Sequence, residues 1–141
     1  MPIARKHRLP PECYRGRVAV AFTACLRFEP DTRLDEETVA AVRAKLAAAG
    51  AKHGCAVVVW CLMPDHLHVI LAGASDDADT WRAMVSFKQQ TGFWLARNRP
   101  AVAWQGDFYD HVVRSDESLD VQARYILDNP VRAGLVADWT A

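Results

Sequence analysis

The chain is predicted to fold as an α+β sandwich, a ferredoxin-like βαββαβ core with an antiparallel sheet and one helix added at the C-terminal end. Three observations predict it. Residues 55–62 and 66–72 are β-rich runs separated only by Met63-Pro64-Asp65, a hairpin signal. Residues 36–49 and 81–97 carry apolar side chains at helical spacing, each between strand-like segments. The length, 141 residues with 51% hydrophobic side chains, suits a single domain over 1–141 with one core.

Residues 17–28 are rich in β-formers and alanine and read as the first strand, ended by Pro30. Asp35 is a good N-cap for a helix over 36–49, with Val39, Val42 and Leu46 in phase and Gly50 as its stop. The run CAVVVWCL (55–62) is apolar at every position and reads as a central strand covered on both faces. After the turn, 66–72 returns as its antiparallel partner. Thr80 can cap a second helix over 81–97, which Pro100 terminates. A short strand is expected near 108–113. Ser115 or Ser118 then caps a third helix reaching Asp128, with Pro130 and Gly134 as stop signals. The first two helices share one face of the sheet; the third could take the other.

No apolar run approaches the roughly 20 residues of a membrane helix, and residues 1–14 are basic without the apolar stretch of a signal peptide. A cytoplasmic protein with no membrane partner is expected. The four cysteines, at 13, 25, 55 and 61, form no Cys-x-x-Cys pair and read as small buried hydrophobes. Net charge is zero but uneven: residues 1–28 carry six basic side chains against Glu12, and residues 29–37 carry five acids against Arg33. Residues 1–15 thus form a basic arm, in which Arg5, Lys6 and Arg8 could meet phosphates. A solvated terminus accounts for the charge equally simply.

The segment MPDHLHVIL (63–71) carries the chemistry. Side chains alternate along a strand, so His66 and His68 point one way while Leu67, Val69 and Leu71 point the other. Two imidazoles side by side can share a metal ion. They also fit a half-exposed strand whose polar residues happen to be histidines. Tyr125 lies roughly 130° from the middle of the apolar face formed by Leu119, Gln122, Ala123, Ile126 and Leu127. It is therefore not placed as a core tyrosine. Asn129 follows one turn later on the same side, where it could also serve as an ordinary helix-end residue before Pro130. His111 either touches substrate or simply ends a strand. Lys88, Arg114, Arg124 and Arg132 are candidate phosphate contacts; Trp81, Trp94 and Trp104 read as core.

Three blocks, MPDHLHVIL, WQGDFYDHVVRSDESL (104–119) and YILDNPVRAGLV (125–136), resemble the REP-associated tyrosine transposases, within the single-tyrosine HUH transposases. They fall in that family's order. Asp65 departs from the pattern, in which Asn commonly precedes the first histidine; it keeps the turn and adds a charge. The resemblance implies an HUH endonuclease fold with His66 and His68 as ligands of a divalent metal, Mg²⁺ or Mn²⁺. It implies Asn129 as the ligand completing the site and Tyr125 as the nucleophile. The implied activity is metal-dependent cleavage and rejoining of single-stranded DNA, on hairpin or REP-like substrates, through a covalent 5′-phosphotyrosine. The chain is expected to act as a monomer or homodimer, which the sequence leaves open. Two imidazoles and an amide suit Mn²⁺ better than Mg²⁺, and Zn²⁺ could bind tightly and inhibit. The competing readings are a catalytically silent DNA-binding relative and a metal-dependent phosphoesterase using bound water.

Overall fold

The computed structural model describes residues 10–113 and 116–127. Its elements are β1 (Ala19–Phe28), α1 (Glu36–Lys52), β2 (Cys55–Leu62), β3 (His66–Gly73), α2 (Thr80–Asn98), β4 (Val102–Val113) and α3 (Asp116–Leu127), preceded by a 3-10 turn, Pro11–Tyr14. The four strands form one antiparallel sheet in the order β2-β3-β1-β4. This is the predicted ferredoxin-like order of elements with its added helix.

Strand alternation divides the sheet cleanly. Val20, Phe22 and Ala24 of β1 and Leu67, Val69 and Leu71 of β3 face α1 and α2. There they join Val42, Leu46, Met84 and Phe87 in the main core. The opposite face carries Ala19, Ala21, Val59, Cys61 and Ile70, on which Leu119, Ala123 and Ile126 of α3 pack. The third helix therefore takes the face that the first two leave.

Several local expectations are corrected. Strand β2 is at the sheet edge, not its centre. It is apolar on both sides because Val57, Trp60 and Leu62 meet the main core while Val59 and Cys61 lie under α3. Helix α1 runs through Gly50, which is buried; a Cβ there would stand 2.9 Å from the Cys55 carbonyl oxygen. Gly54, with φ +71°, makes the turn that leads into β2. Asp79 rather than Thr80 caps α2, accepting from the Arg82 N–H, while the Thr80 hydroxyl donates to the Tyr14 carbonyl. Ser118 lies inside α3 and is not its cap; Ser115 and Asp128 are outside the described residues. Strand β4 is longer than expected because it starts at Val102. It bulges opposite Cys25, where that one β1 residue faces three on β4, 105–107.

The basic arm also shortens. Tyr14 is fully buried, packs its ring at a tilt against Trp81 and donates from its hydroxyl to Asp110 at 2.6 Å, so the chain belongs to the folded body by that point. Arg5, Lys6 and Arg8 lie outside the described residues. No disulfide is present among the described residues; Cys55 is buried as expected, whereas Cys13, Cys25 and Cys61 are only half-buried. Among the described residues no helix is long and apolar enough to cross a membrane.

Candidate metal and DNA-cleavage site

Cross-strand register builds the site. Cys61 of β2, His68 of β3, Thr23 of β1 and Tyr109 of β4 are successive partners and form one row across the α3 side of the sheet. The next row toward the β2–β3 turn pairs His66 with Cys25. The row on the other side joins Val59, Ile70, Ala21 and His111. The histidine pair thus borders the apolar patch on which α3 sits.

The rings of His66 and His68 lie edge to face, with centroids 4.7 Å apart. Each is held through Nδ1. Asp65 Oδ1 is 2.6 Å from His66 Nδ1, and because a carboxylate only accepts, that nitrogen carries the proton. The Thr23 hydroxyl is 3.0 Å from His68 Nδ1. Anchoring Nδ1 to an oxygen orients an imidazole and directs any metal bond to Nε2. Thr23 had no signal in the sequence, since only strand pairing brings it to His68.

The donor set agrees with a divalent transition metal. Two oriented imidazoles on one face supply nitrogen ligands of the kind Mn²⁺ and Zn²⁺ accept. Among the described residues no third His, Cys, Asp or Glu completes a cluster with them. Asn129, expected as the third ligand, lies outside the described residues, as do Arg114 and Arg132.

Tyr125 falls in the last turn of α3, and its side chain is outside the described residues. Its chain neighbour Ile126 is 3% exposed and packs with Val59 and Ile70. Ile70 is two residues beyond His68, on the same face. Arg124 is exposed on α3. His111 is also exposed and shares the face of the histidine pair.

Lys88 does not fit the expected DNA contact. It is buried on the opposite side of the sheet, where its ammonium donates to the Gln105 carbonyl at 3.1 Å and sits near the Trp104 and Phe108 rings. A helical wheel could not reveal this, because the β4 bulge that receives Lys88 is remote in sequence. Trp104 is a core residue as expected, donating from Nε1 to the Thr91 hydroxyl at 2.7 Å.

A βαββαβ sheet with a His-x-His on one face and a further helix docked on that same face is the architecture of the HUH-type transposases. The chain belongs to the family described as Transposase IS200 like, whose profile matches residues 25–129. It is 28% identical over 96 residues to a candidate REP-associated tyrosine transposase of Haemophilus influenzae, covering 58% of this chain and 54% of that one. The chain thus spans about half the length of this curated relative. Among solved structures it superposes on a REP-associated tyrosine transposase bound to a REP hairpin with a TM-score of 0.75 and 23% identity, over 99% of this chain and 78% of that one. A candidate transposase from Deinococcus radiodurans gives 0.56 and 16%, over 89% and 95%. These likenesses bear out the family resemblance and the fold.

Proposed function

We propose that this chain cleaves and rejoins single-stranded DNA through a covalent 5′-phosphotyrosine on Tyr125, beside a divalent cation held by His66, His68 and Asn129. The observation that carries the proposal is the docking of α3 on the histidine face through Ile126, next to Tyr125 in sequence. In this reading the nucleophile and the paired histidines come from one protomer, as the docking of α3 on the sheet of its own chain supports.

In the forward step the Tyr125 phenolic oxygen forms a bond to phosphorus and the P–O3′ bond breaks. The phenol loses its proton and the departing 3′ oxygen ends as a hydroxyl, so the exchange is balanced without an external energy source. Attack by a 3′-hydroxyl on the phosphotyrosine reverses it and rejoins strands. A free phenol, with a pKa of about 10, is a weak nucleophile at neutral pH. When bound, the cation supplies charge to the oxygens of the scissile phosphate and holds it in place. Thr23 and Asp65 keep the two imidazoles in the orientation this requires. A cut in single-stranded DNA leaves the phosphate free to align with the phenol.

The substrate is proposed to be a DNA hairpin with an adjoining single strand, in keeping with the hairpin carried by the structural relative. Arg5, Lys6, Arg8, Arg114, Arg124 and Arg132 are the proposed phosphate contacts. Incubation with single-stranded hairpin DNA and Mn²⁺, followed by a denaturing gel, tests the reading. Wild-type protein gives a slowed, DNA-linked band that Tyr125→Phe loses while still binding DNA. Cleavage without any covalent species would point instead to water attack. Mn²⁺ is expected to support cleavage at least as well as Mg²⁺, and cleavage unaffected by chelator would exclude the cation's role.

A further inference from the structure

The two imidazoles of the histidine face are held by unlike partners. His68 meets the neutral Thr23 hydroxyl at 3.0 Å, whereas His66 meets the Asp65 carboxylate at 2.6 Å. Asp65 is fixed where it stands. Its carbonyl accepts from the Leu26 N–H at 2.8 Å, and the Met63 N–H donates to the His66 carbonyl at 2.8 Å, so the turn is tied down on both sides of it. Its side chain is 76% exposed, so a charge there carries little desolvation penalty. The donors proposed for the cation, two imidazoles and an amide, are all neutral. Among the described residues no Asp or Glu completes a metal-binding group with the histidines. Affinity for a divalent cation depends on the charge of its surroundings as well as on the number of ligands. Asp65 brings a negative charge to within one imidazole's width of the site.

We propose that Asp65 determines the affinity of the cation site: its charge, acting through His66, compensates a neutral ligand set and makes His66 the ring that captures the cation first. A carboxylate on Nδ1–H pushes electron density toward Nε2 and strengthens that nitrogen as a donor. It also attracts the cation directly across the ring. The Thr23 hydroxyl orients His68 without adding charge, so the two halves of the pair are unequal. Asp65 is a positioning residue and touches neither phosphate nor cation. With this charge in place the protein loads its cation before DNA arrives, because no scissile phosphate is needed to supply the first negative charge. The inference rests on the proposed cleavage reading for what that cation does.

The test is calorimetric titration of DNA-free protein with Mn²⁺. Asp65→Asn keeps an oxygen to accept from His66 Nδ1–H and keeps a turn-forming side chain, so it removes the charge alone. It should weaken Mn²⁺ binding about tenfold. That deficit should shrink between about 0.1 M and 1 M salt, as the Debye length falls from about 10 Å to about 3 Å. Asp65→Ala, which loses the hydrogen bond as well, should bind more weakly still. His66→Ala should cost more affinity than His68→Ala. The inference is overturned if Asp65→Asn binds Mn²⁺ as wild type does, if its deficit is the same at both salt concentrations, if His68→Ala is the more damaging of the two, or if wild type takes up no Mn²⁺ without DNA. A deficit indifferent to salt is what a purely structural role gives. Adduct formation is scored separately. Mn²⁺ binding that depends on Asp65 without any adduct would sink the cleavage reading and leave this inference standing. Adduct formation by wild type, with Asp65→Asn loading Mn²⁺ equally well, would do the reverse.

Discussion

His68 and Thr23 face each other across β3 and β1, with 3.0 Å between the imidazole Nδ1 and the threonine hydroxyl. In the proposed metal site this contact would leave the other ring nitrogen, Nε2, to face the cation. An imidazole held this way gains affinity because its orientation is fixed before the cation arrives.

Thr23→Val removes that hydroxyl while keeping a β-branched side chain suited to the strand. Mn²⁺ affinity should fall about tenfold, read by calorimetric titration. The melting temperature should change little. Unchanged affinity would show that His68 is oriented without Thr23.

Ile126→Ala hollows the contact between α3 and the sheet. Removing a buried side chain of this size costs about 2–5 kcal/mol. Hydrogen exchange should speed up in α3 ahead of the β1–β3 core. Adduct formation should slow, with DNA binding less affected, since the helix carries Tyr125. Equal loss of protection across the whole chain would mean that α3 docks as part of a single cooperative unit.

Lys88→Met separates a structural from a DNA-binding role. The Gln105 carbonyl loses its buried donor, so stability should fall by about 1–3 kcal/mol in denaturant unfolding. The salt dependence of DNA binding should stay at its wild-type slope. A slope reduced by about one would return Lys88 to the phosphate contacts.

The cap of α1 predicts a pH effect. Asp35 accepts from the Thr38 hydroxyl and N–H and from Arg99, and together these hold its carboxyl at about 2, below the ordinary 3.8. A carboxyl lowered on folding stabilises fully above its unfolded value and loses that contribution as pH falls through its folded value. Asp35→Asn retains a good N-cap without the charge. The melting temperature of wild type should therefore exceed that of the variant near neutrality. The difference should close between about pH 4 and pH 2. A constant difference over that range would show that the cap is not titrating.

Much of this architecture was legible in the chain because it is written in short-range patterns. The Met63-Pro64-Asp65 turn, the alternation that puts His66 and His68 on one face, and the Asp35 cap each depend on residues within a few positions. The stop at Gly50 misled because glycine marks helix ends by its backbone freedom, whereas here it admits close approach of the Cys55 carbonyl. The run at 55–62 looked central because apolar residues on both faces report covering layers, not the number of neighbouring strands.

The amino-acid order alone determined the succession of elements and the pairing of the two imidazoles, since periods of 2 and 3.6 residues are local properties of the backbone. Tertiary structure decided what lies beside them: Thr23 against His68, α3 over the histidine face, Lys88 buried under the β4 bulge. Those neighbours are set by strand register and by the burial of Ile126 among Val59 and Ile70, sums of contacts between residues far apart in sequence that no single stretch of it encodes.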